Sequence, residues 1–580
     1  MDQLHPVYTV KTECQDCYKC VRQCPVKAIK VEGGHAQVMP ELCIACGHCV
    51  EICPSHAKKV RNDLGRAKQL LKDREKVFVS LAPSWVSEFR DIPAAKMITA
   101  LKKLGFTGVS ETALGAQEVS AALAEEFAVE KSGLFISSAC PAVVEFFKKH
   151  LPAYAPNLTG LFSPVLAHGR LLRKLYGDDI GVVMISPCIA KKKEADRHPE
   201  ILDLALTFED LREWLKFENI DLNNLIAETG TGFVPSRSEE GAIYPIEGGM
   251  IETIKAFPGT AHVRGVPLAG IHDIEKVFSE INMGDLDDLI FVEALACPGG
   301  CVKGPCAGKK DAELTGRMKV IANTRFPANG IDRKAFLEIK EEYHPEEMKT
   351  DTPDETLIKN ALRLVGKFSR DDELNCGGCG YESCRKFAKA LLEGKAEPAM
   401  CVSYLRKQAQ NKANALLRCI PSGVVIVDAE MKIVECNEYF ANMFDSETAY
   451  AYEAKPGLGG AALDKIIPHP IATLIENVLR SGKEITRDSY RVGKRLFNIT
   501  VFNIEEKQTA GVVLVDVTNS EMRREQIARR AREVINKNLS AVQEIACLLG
   551  EHMADTEILL QSIADDYPDE NDTMTGEDGL

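Results

Sequence analysis

Four cysteines that follow apolar runs constrain the fold of this chain more than any other feature. Cys297 and Cys301 lie four residues apart in the glycine-rich stretch EALACPGGCVKGPC, residues 293–306. Cys140 follows the run LFIS, Cys188 follows VVMI, and LIFVEA precedes Cys297. Because such runs are typical of buried strands, we expect three strand ends to bring the four thiols to one pocket. Four thiolates are the ligand set of one iron-sulfur cluster.

The residues around these cysteines resemble the three signatures of the iron-only (FeFe) hydrogenases, T-S-C-C-P-x-W, M-P-C-x-x-K-x-x-E and E-x-x-x-C-x-x-G-C-x-x-G. The matching residues are Cys140 and Pro141 for the first signature, Pro187, Cys188, Lys191 and Glu194 for the second, and Glu293, Cys297, Gly300, Cys301 and Gly304 for the third. The resemblance implies a 4Fe-4S cluster on the four cysteines. It also implies that the Cys301 sulfur bridges to a di-iron unit with carbonyl, cyanide and dithiolate ligands. This composite is the H-cluster, the site of hydrogen chemistry in that family.

The resemblance also assigns roles to charged residues of the second and third signatures. Lys191 matches the family lysine that hydrogen-bonds a cyanide ligand, and an ammonium group suits a bound anion. Its neighbours Lys192 and Lys193 belong to a run of lysines, which is usually solvated, and we expect them on the surface. Glu194 and Glu293 match motif carboxylates that we expect to orient neighbouring groups.

The chain departs from the family pattern where protons should pass. Ala139 replaces the cysteine that shuttles protons in prototypical enzymes, and a methyl group can neither donate nor accept a proton. General acid-base catalysis contributes about 10²- to 10⁴-fold, so we predict slow turnover. The family's relay glutamates should fall near residues 121–123, which are apolar here, and Glu118 is the nearest acid. These losses favour a sensor over a bulk catalyst.

Composition limits the remaining possibilities. A chain of 580 residues predicts about three to five domains. Between residues 77 and 343, apolar runs alternate with helical patterns, which predicts an α/β fold with largely parallel strands. The net charge of -14 argues against nucleic-acid binding. We find no signal-peptide pattern and no apolar run near the ~18 residues of a membrane helix, so we expect a cytoplasmic protein without membrane contact.

Near the N-terminus the pattern C-x2-C-x2-C-x3-C-P occurs twice, as in bacterial two-cluster ferredoxins, where the fourth cysteine of each repeat ligates the other cluster. The predicted ligands are Cys14, Cys17, Cys20 and Cys53 for one 4Fe-4S cluster, and Cys43, Cys46, Cys49 and Cys24 for the other. Zinc is the alternative, because paired C-x2-C motifs also bind zinc. The predicted function of this segment is electron relay.

A third cysteine group follows a polar linker and has a different spacing. Cys376, Cys379, Cys384 and Cys401 form the pattern C-x2-C-x4-C-x16-C. The pattern resembles the small Fe-S domain of corrinoid and other anaerobic redox proteins, which implies one further 4Fe-4S cluster, with zinc as the alternative. We expect a helix from residue 381 to 392 to carry the third ligand. Cys306, Cys419, Cys436 and Cys547 are expected to be ordinary thiols.

The C-terminal third contains few cysteines and changes character. A strand at 423–428, a second at 432–435 and a helix near Asn437 resemble the PAS pattern, as does the closing segment GVVLVDVTNSE. PAS folds sense ligands or form dimers, and no residue here makes a convincing haem or flavin site. An apolar stripe from Ile527 to Met553 follows, which predicts a helix that forms a coiled coil with a second chain or packs on the PAS domain.

We therefore predict a multidomain chain of α/β and α+β class. The segments are a two-cluster ferredoxin domain at 1–61, an H-cluster hydrogenase domain at 62–345, a small 4Fe-4S domain at 354–405, a PAS domain at 411–518, a C-terminal helix at 519–564 and an acidic tail at 565–580. No kinase, phosphatase or DNA-binding motif follows the PAS domain. Any output must therefore pass to another protein.

These predictions combine into one functional hypothesis. The chain is expected to be a hydrogen-sensing hydrogenase that slowly interconverts H2 with protons and electrons, using a ferredoxin-like electron carrier, a downstream signalling protein and a homodimer formed through the PAS domain and C-terminal helix. Two alternatives remain. One is an iron-sulfur cluster assembly protein of hydrogenase-like fold without the di-iron unit, and the other is an ordinary ferredoxin-linked or electron-bifurcating hydrogenase.

Overall fold

The computed structural model describes residues 5–281, 288–308, 313–328, 330–346, 353–493, 495–518 and 534–538. The chain divides into two compact units, 1–400 and 401–580, and each is described by itself. Apart from 534–538, the predicted C-terminal helix lies outside the described residues, as do the acidic tail and Cys547. Within the described ranges, no helix has the length and apolar character that spanning a bilayer requires.

The N-terminal segment pairs short strands around its cysteine loops. β1 pairs antiparallel with β4, so the two ends of the segment are joined, and β2 and β3 form a hairpin. The elements are β1 (Val7–Thr9), α1 (Lys19–Gln23), β2 (Ile29–Glu32), β3 (His35–Val38), α2 (His48–Glu51) and β4 (Lys58–Val60). Because the strands hold both ends of each cysteine loop, little apolar core is needed.

The region from residue 64 to 217 contains a parallel sheet with strand order β6-β5-β8-β9. Val79, Leu81, Val183 and Ile185 are fully buried, which explains why these strands read as continuous apolar runs. The elements are α3 (Leu64–Asp73), β5 (Val77–Leu81), α4 (Trp85–Glu88), α5 (Ala94–Lys103), β6 (Gly108–Glu111), α6 (Ala113–Val129), β7 (Gly133–Ile136), α7 (Pro141–His150), α8 (Pro164–Tyr176), β8 (Gly181–Ser186), α9 (Ala190–Arg197), β9 (Leu204–Thr207) and α10 (Phe208–Phe217).

A second parallel sheet, with strand order β10-β11-β7, takes its edge strand β7 from this region and its other two strands from later in the chain. The further elements are α11 (Gly249–Lys255), β10 (Arg264–Ala269), α12 (Ile271–Glu280), β11 (Leu289–Leu295) and α13 (Glu313–Asn323). The predicted α/β architecture with parallel strands is therefore confirmed, and the strands are divided between two sheets. Both sheets present carboxyl ends of strands, which is where ligands bind in this fold class.

The first unit ends with the third cysteine group. The helices are α14 (Glu355–Leu364) and α15 (Cys384–Leu392). The predicted helix start at residue 381 is wrong by three residues, because the Ser383 side chain accepts a hydrogen bond from the Lys386 amide and caps the helix there.

The second unit begins with a long helix and continues into an antiparallel sheet with strand order β13-β12-β16-β15-β14. Asn437 caps a helix, as predicted, and its side chain also accepts a hydrogen bond from the Val424 amide. The elements are α16 (Val402–Cys419), β12 (Gly423–Asp428), β13 (Ile433–Cys436), α17 (Glu438–Ala441), α18 (Ser446–Ala454), α19 (His469–Ser481), β14 (Ile485–Val492), β15 (Arg495–Glu505) and β16 (Thr509–Asp516).

Candidate functional site

Three strands end immediately before the predicted cysteine motifs. β7 ends at Ile136 ahead of Cys140, β8 ends at Ser186 ahead of Cys188, and β11 ends at Leu295 ahead of Cys297. β8 belongs to one sheet, while β7 and β11 belong to the other. The predicted convergence of strand ends is therefore present, and the site is built from the carboxyl edges of two sheets.

The predicted ligands of the H-cluster cubane line one cavity. We call Cys140, Cys188, Cys297 and Cys301 the pocket cysteines. Cys46 of the N-terminal segment lines the same cavity. A Cβ atom on Gly47 would lie 2.5 Å from Pro305, so the close approach of the two segments requires glycine there. The structure thus brings the four thiols together and places one N-terminal cysteine beside them.

Burial favours the protonated form of three pocket thiols. It raises the pKa of Cys188 to about 11, and it also raises the pKa values of Cys297 and Cys301. A cationic iron centre would favour the thiolates that burial opposes. The long helices α7 and α9 begin directly after Cys140 and close to Cys188, so their positive ends lie near the site. The donor set therefore fits an iron-sulfur cluster.

A second cavity of about 100 Å³ shares Cys140, Cys188 and Cys301 with the first. Its walls are largely apolar and include Ala139. The hydroxyl of Ser84 lines this cavity, is buried, and has no hydrogen-bond partner among the described residues. Because buried hydroxyls are normally paired, an unpaired one facing a cavity fits a ligand that accepts a hydrogen bond.

Lys191 reaches this cavity from helix α9. Its ammonium donates to the Ser163 hydroxyl over 2.9 Å and lies 2.7 Å from a carboxylate oxygen of Glu194. Both charged side chains are almost fully buried. The negative charge of Glu194 therefore compensates the positive charge of Lys191 and holds its ammonium in position. This agrees with the orienting role predicted for the carboxylate.

Glu293 also lines this cavity, from strand β11. Its carboxylate accepts hydrogen bonds from the backbone amides of Gly248 and Ile251, over 3.1 and 3.0 Å. Burial nevertheless raises the pKa of Glu293 to about 7. The sequence predicts an orienting role, and the structure adds a carboxyl group that changes protonation near neutral pH.

Two further predicted residues lie away from this cavity. Glu118 is not among the described residues that line it, and its carboxylate accepts hydrogen bonds from the Phe336 and Leu337 amides. A relay role for Glu118 stays a prediction. Cys306 is buried beside Val7 and Ile189, as expected of a structural thiol.

The expectation that Lys192 and Lys193 lie on the surface is wrong. Lys192 is fully buried, with its ammonium 3.1 Å from Asp63 and 2.8 Å from Asp210. Lys193 is half-buried and lies 2.6 Å from Glu145 of helix α7. A lysine run is usually solvated, but here successive residues of α9 face three different packed neighbours.

The electrostatic neighbours of two N-terminal cysteines agree with the crossed pairing that the ferredoxin pattern implies, and the ligand assignment stays a prediction. Burial is the main cause that raises the pKa values of Cys20 and Cys49. The thiols that act electrostatically on Cys20 are Cys14, Cys17 and Cys53, and those that act on Cys49 are Cys24, Cys43 and Cys46. In this pairing, each repeat supplies one cysteine to the other group.

The third cysteine group forms a loop suited to wrapping a cluster. Asn375, Gly377 and Gly380 all have positive φ, and the Cys384 amide donates to the Asn375 side chain over 2.8 Å. Cys379 and Cys384 are buried, while Cys376 is exposed. Cys401 begins the second unit and is buried.

Family profiles match four parts of the chain. The profile described as iron only hydrogenase large subunit, C-terminal domain, matches residues 75–305. A 4Fe-4S dicluster domain profile matches residues 6–54, an Fe-S cluster profile matches 372–403, and a PAS domain profile matches 411–481. The chain is thus a multidomain iron-sulfur protein with an iron-only hydrogenase-like large-subunit domain, a 4Fe-4S dicluster domain and a PAS domain.

Curated relatives of the hydrogenase-like region fall into two groups. The chain is 26% identical to a periplasmic iron hydrogenase large subunit of Nitratidesulfovibrio vulgaris, over 52% of this chain and 86% of that protein. It is 26% identical to iron hydrogenase 1 of Clostridium pasteurianum, over 46% of this chain and little more than half, 56%, of that protein. A cytosolic Fe-S cluster assembly factor, a NAR1 homolog of Schizosaccharomyces japonicus, is 27% identical over 26% of this chain and 31% of that protein.

Proposed function

We propose that this protein is a hydrogen-sensing FeFe hydrogenase of low turnover. One observation carries the proposal: the pocket cysteines adjoin a cavity that presents a lysine ammonium, an unpaired serine hydroxyl and a carboxyl group. A site for an ordinary structural cluster needs the four thiolates and no such second cavity.

The residues of the second cavity suit an anionic, organometallic group. When bound, the H-cluster would supply reversible cleavage of H2 into two protons and two electrons. The pocket cysteines would hold its cubane part, and Cys301 would join the cubane to the di-iron part. Lys191 and Ser84, which both line the cavity, offer hydrogen-bond donors to anionic ligands.

Proton transfer at this site depends on few groups. The Glu293 carboxyl can hold or release a proton near neutral pH, and it lies on the cavity wall. The methyl group of Ala139 can do neither. Because acid-base catalysis typically supplies about 10²- to 10⁴-fold, the loss of a dedicated shuttle supports slow turnover.

The domain content supports a sensory role. A bulk catalyst needs the electron relay but gains nothing from a PAS domain, whereas a sensor needs a module that reports its state. In our proposal, a ferredoxin-like carrier exchanges electrons with the N-terminal cysteine groups. The PAS domain, together with the helix that the sequence predicts after it, forms a homodimer that passes the signal to another protein.

A hydrogen-uptake assay on the fully matured protein, under strict anaerobiosis, tests this proposal. We expect measurable but slow uptake and evolution. Evolution as fast as that of prototypical hydrogenases would favour an ordinary ferredoxin-linked or bifurcating enzyme instead.

A second candidate function is iron-sulfur cluster assembly, favoured by the similarity to the assembly factor of Schizosaccharomyces japonicus. Such a protein would keep the pocket cysteines and lack the di-iron unit. The second cavity, which Lys191 and Ser84 line, is not required for that role, because the pocket cysteines alone would hold the cluster. Complete absence of hydrogen uptake after maturation, with intact 4Fe-4S clusters, would favour this candidate.

A further inference from the structure

The third cysteine group is docked on the N-terminal segment through the stretch that follows helix α15. The Val31 amide donates to the Lys395 carbonyl over 2.9 Å. The Glu397 carboxylate accepts hydrogen bonds from the Gly33 and Gly34 amides, over 2.7 and 3.2 Å. The turn of the β2-β3 hairpin is thus held by charge-assisted hydrogen bonds, which are stronger than neutral ones.

A second set of contacts joins the cysteine loop itself to helix α1. The Lys27 ammonium donates to the carbonyls of Arg22 and Gly380, over 2.9 and 3.2 Å. The Arg22 guanidinium reaches the Gly378 carbonyl at 3.4 Å. A Cβ atom on Gly380, whose φ is +96°, would lie 3.0 Å from Val21. The loop therefore lies directly on the helix, and the φ of +96° favours glycine at the point of contact.

The covered side of helix α1 is the side of Cys24. Lys27, which donates to the Gly380 carbonyl, follows Cys24 by three residues, and the amide of the next residue, Ala28, donates to the Cys24 sulfur over 3.3 Å. Cys24 belongs to the group formed with Cys43, Cys46 and Cys49, which we call the Cys24 site. Because Cys46 also lines the cavity of the pocket cysteines, the Cys24 site has a cysteine site on each of two sides.

We propose that the third cysteine group accepts electrons from the Cys24 site, so that the electron path from the pocket divides there. One branch leads to the other N-terminal group, whose Cys17 is exposed and suits exchange with a carrier. The other branch ends at the third group. The inference rests on the proposed function only for the origin of the electrons. The docking contacts are independent of that function.

The transfer balances as a single-electron step. One electron leaves the loaded Cys24 site, which is oxidised, and enters the loaded third group, which is reduced. No bond forms or breaks, and no proton is required. Oxidation of one H2 supplies two electrons, so each branch can take one. The third group can then hold an electron while the exposed group exchanges its own with a carrier.

The proposed division of the electron path is tested by electron paramagnetic resonance. The sample is the full chain, loaded with iron-sulfur clusters, prepared without the di-iron unit and reduced with dithionite. We expect magnetic interaction between the third group and the Cys24 site. The variant Cys43→Ser, which disables the Cys24 site, should abolish the interaction, and Cys17→Ser, which disables the other N-terminal group, should leave it. The reverse pattern, or no interaction in the unaltered chain, would overturn the proposal.

Docking variants give a second measurement that leaves every cysteine in place. Glu397→Ala removes the acceptor of the Gly33 and Gly34 amides, and Lys27→Met removes the contact with the Gly380 carbonyl. The double variant should therefore keep its clusters and lose the magnetic interaction. Lys386→Ala is the matched control, because Lys386 pairs only with Glu382 of its own segment in the described contacts. Persistence of the interaction in the double variant would contradict the proposed docking. Neither result depends on hydrogenase activity, so failure here is distinct from failure of the proposed function.

Discussion

Helix α9 contributes neighbouring lysines to two different regions, an apolar cavity and a cluster of charged side chains. Lys191 faces the second cavity, which is mostly apolar and holds one ammonium and one carboxyl group among its lining residues. Lys192 faces a cluster of charges, all buried or half-buried except Arg66, that we call the charge network. Its members are Arg61, Asp63, Arg66, Lys192, Asp196 and Asp210.

The difference indicates that the charge network stabilises the fold, whereas the cavity serves the reaction. The charge network fixes α9 to the segment that leaves the N-terminal domain, since Arg61 lies 2.7 Å from Asp196 and Lys192 lies 3.1 Å from Asp63. The cavity has almost no groups that can move protons. We therefore expect changes in the network to act on stability alone, whereas changes in the cavity should also alter the reaction rate and the pH dependence.

The largest expected effect is on the network side. Lys192→Met removes the cation that Asp210 pairs with in the described contacts, whereas Asp63 keeps Arg61 and Arg66. Breaking one partner of a buried ion pair costs about 3–5 kcal/mol. We expect a loss of this order in the free energy of unfolding of the first unit, measured by denaturant titration. Lys216→Met on an exposed face of α10 is the control, with a change within about 0.5 kcal/mol. Equal losses in the free energy of unfolding for the two variants would show that the charge network does not stabilise the fold.

On the cavity side, Lys191→Met is expected to lower the rate and spare the clusters. Removing one preorganised donor at a reacting group costs about 10²- to 10³-fold in rate. Hydrogen uptake should fall by this factor while iron content and the 4Fe-4S signals stay unchanged, and Lys216→Met again serves as the control. Unchanged uptake in the Lys191 variant would mean that its ammonium does not act on the reaction.

Glu293 predicts a pH dependence of stability. Its folded pKa of about 7 lies above the ordinary value of 4.5, so the folded protein binds an extra proton between these pH values. Stability is therefore expected to fall by roughly 3 kcal/mol as pH rises through this window. Glu293→Gln should remove the fall, and Glu252→Gln at an exposed position should keep it. Thermal unfolding across pH checks this, and identical profiles for all three proteins would contradict it.

The smallest expected effect comes from Ala139→Cys. The new thiol would face the cavity, but Glu118, the acid nearest in sequence to the expected relay positions 121–123, is held by the amides of residues 336 and 337. We therefore expect hydrogen evolution to rise by less than the ~10²-fold of a complete acid-base relay. Ala139→Ser, which adds a hydroxyl of much lower acidity, is the control. A larger rise in the cysteine variant would show that a working relay already lies behind residue 139.

Much of the fold could be predicted from the sequence because the cysteine motifs follow strands. The apolar runs before Cys140, Cys188 and Cys297 form β7, β8 and β11 as expected. The PAS strands and the helix cap at Asn437 also follow local patterns. The division of the parallel strands between two sheets leaves no local signal, because it depends on which strands pair across the chain.

The parts that sequence could not give are those set by tertiary packing. The lysine run reads as a solvated face, and only the fold places Asp63 and Asp210 against Lys192. The raised pKa of Glu293 results from burial, which a single motif residue does not reveal. The contact of Gly380 with helix α1 joins segments more than 350 residues apart in the chain, so no spacing rule predicts it.

Infrared spectroscopy of the protein, after maturation with the hydrogenase assembly machinery, tests the central claim most directly. The account predicts carbonyl and cyanide bands from a group held beside the pocket cysteines, and shifts of the cyanide bands in Lys191→Met, whose ammonium would contact one of those ligands. A matured protein with all its 4Fe-4S clusters and no such bands would contradict the account.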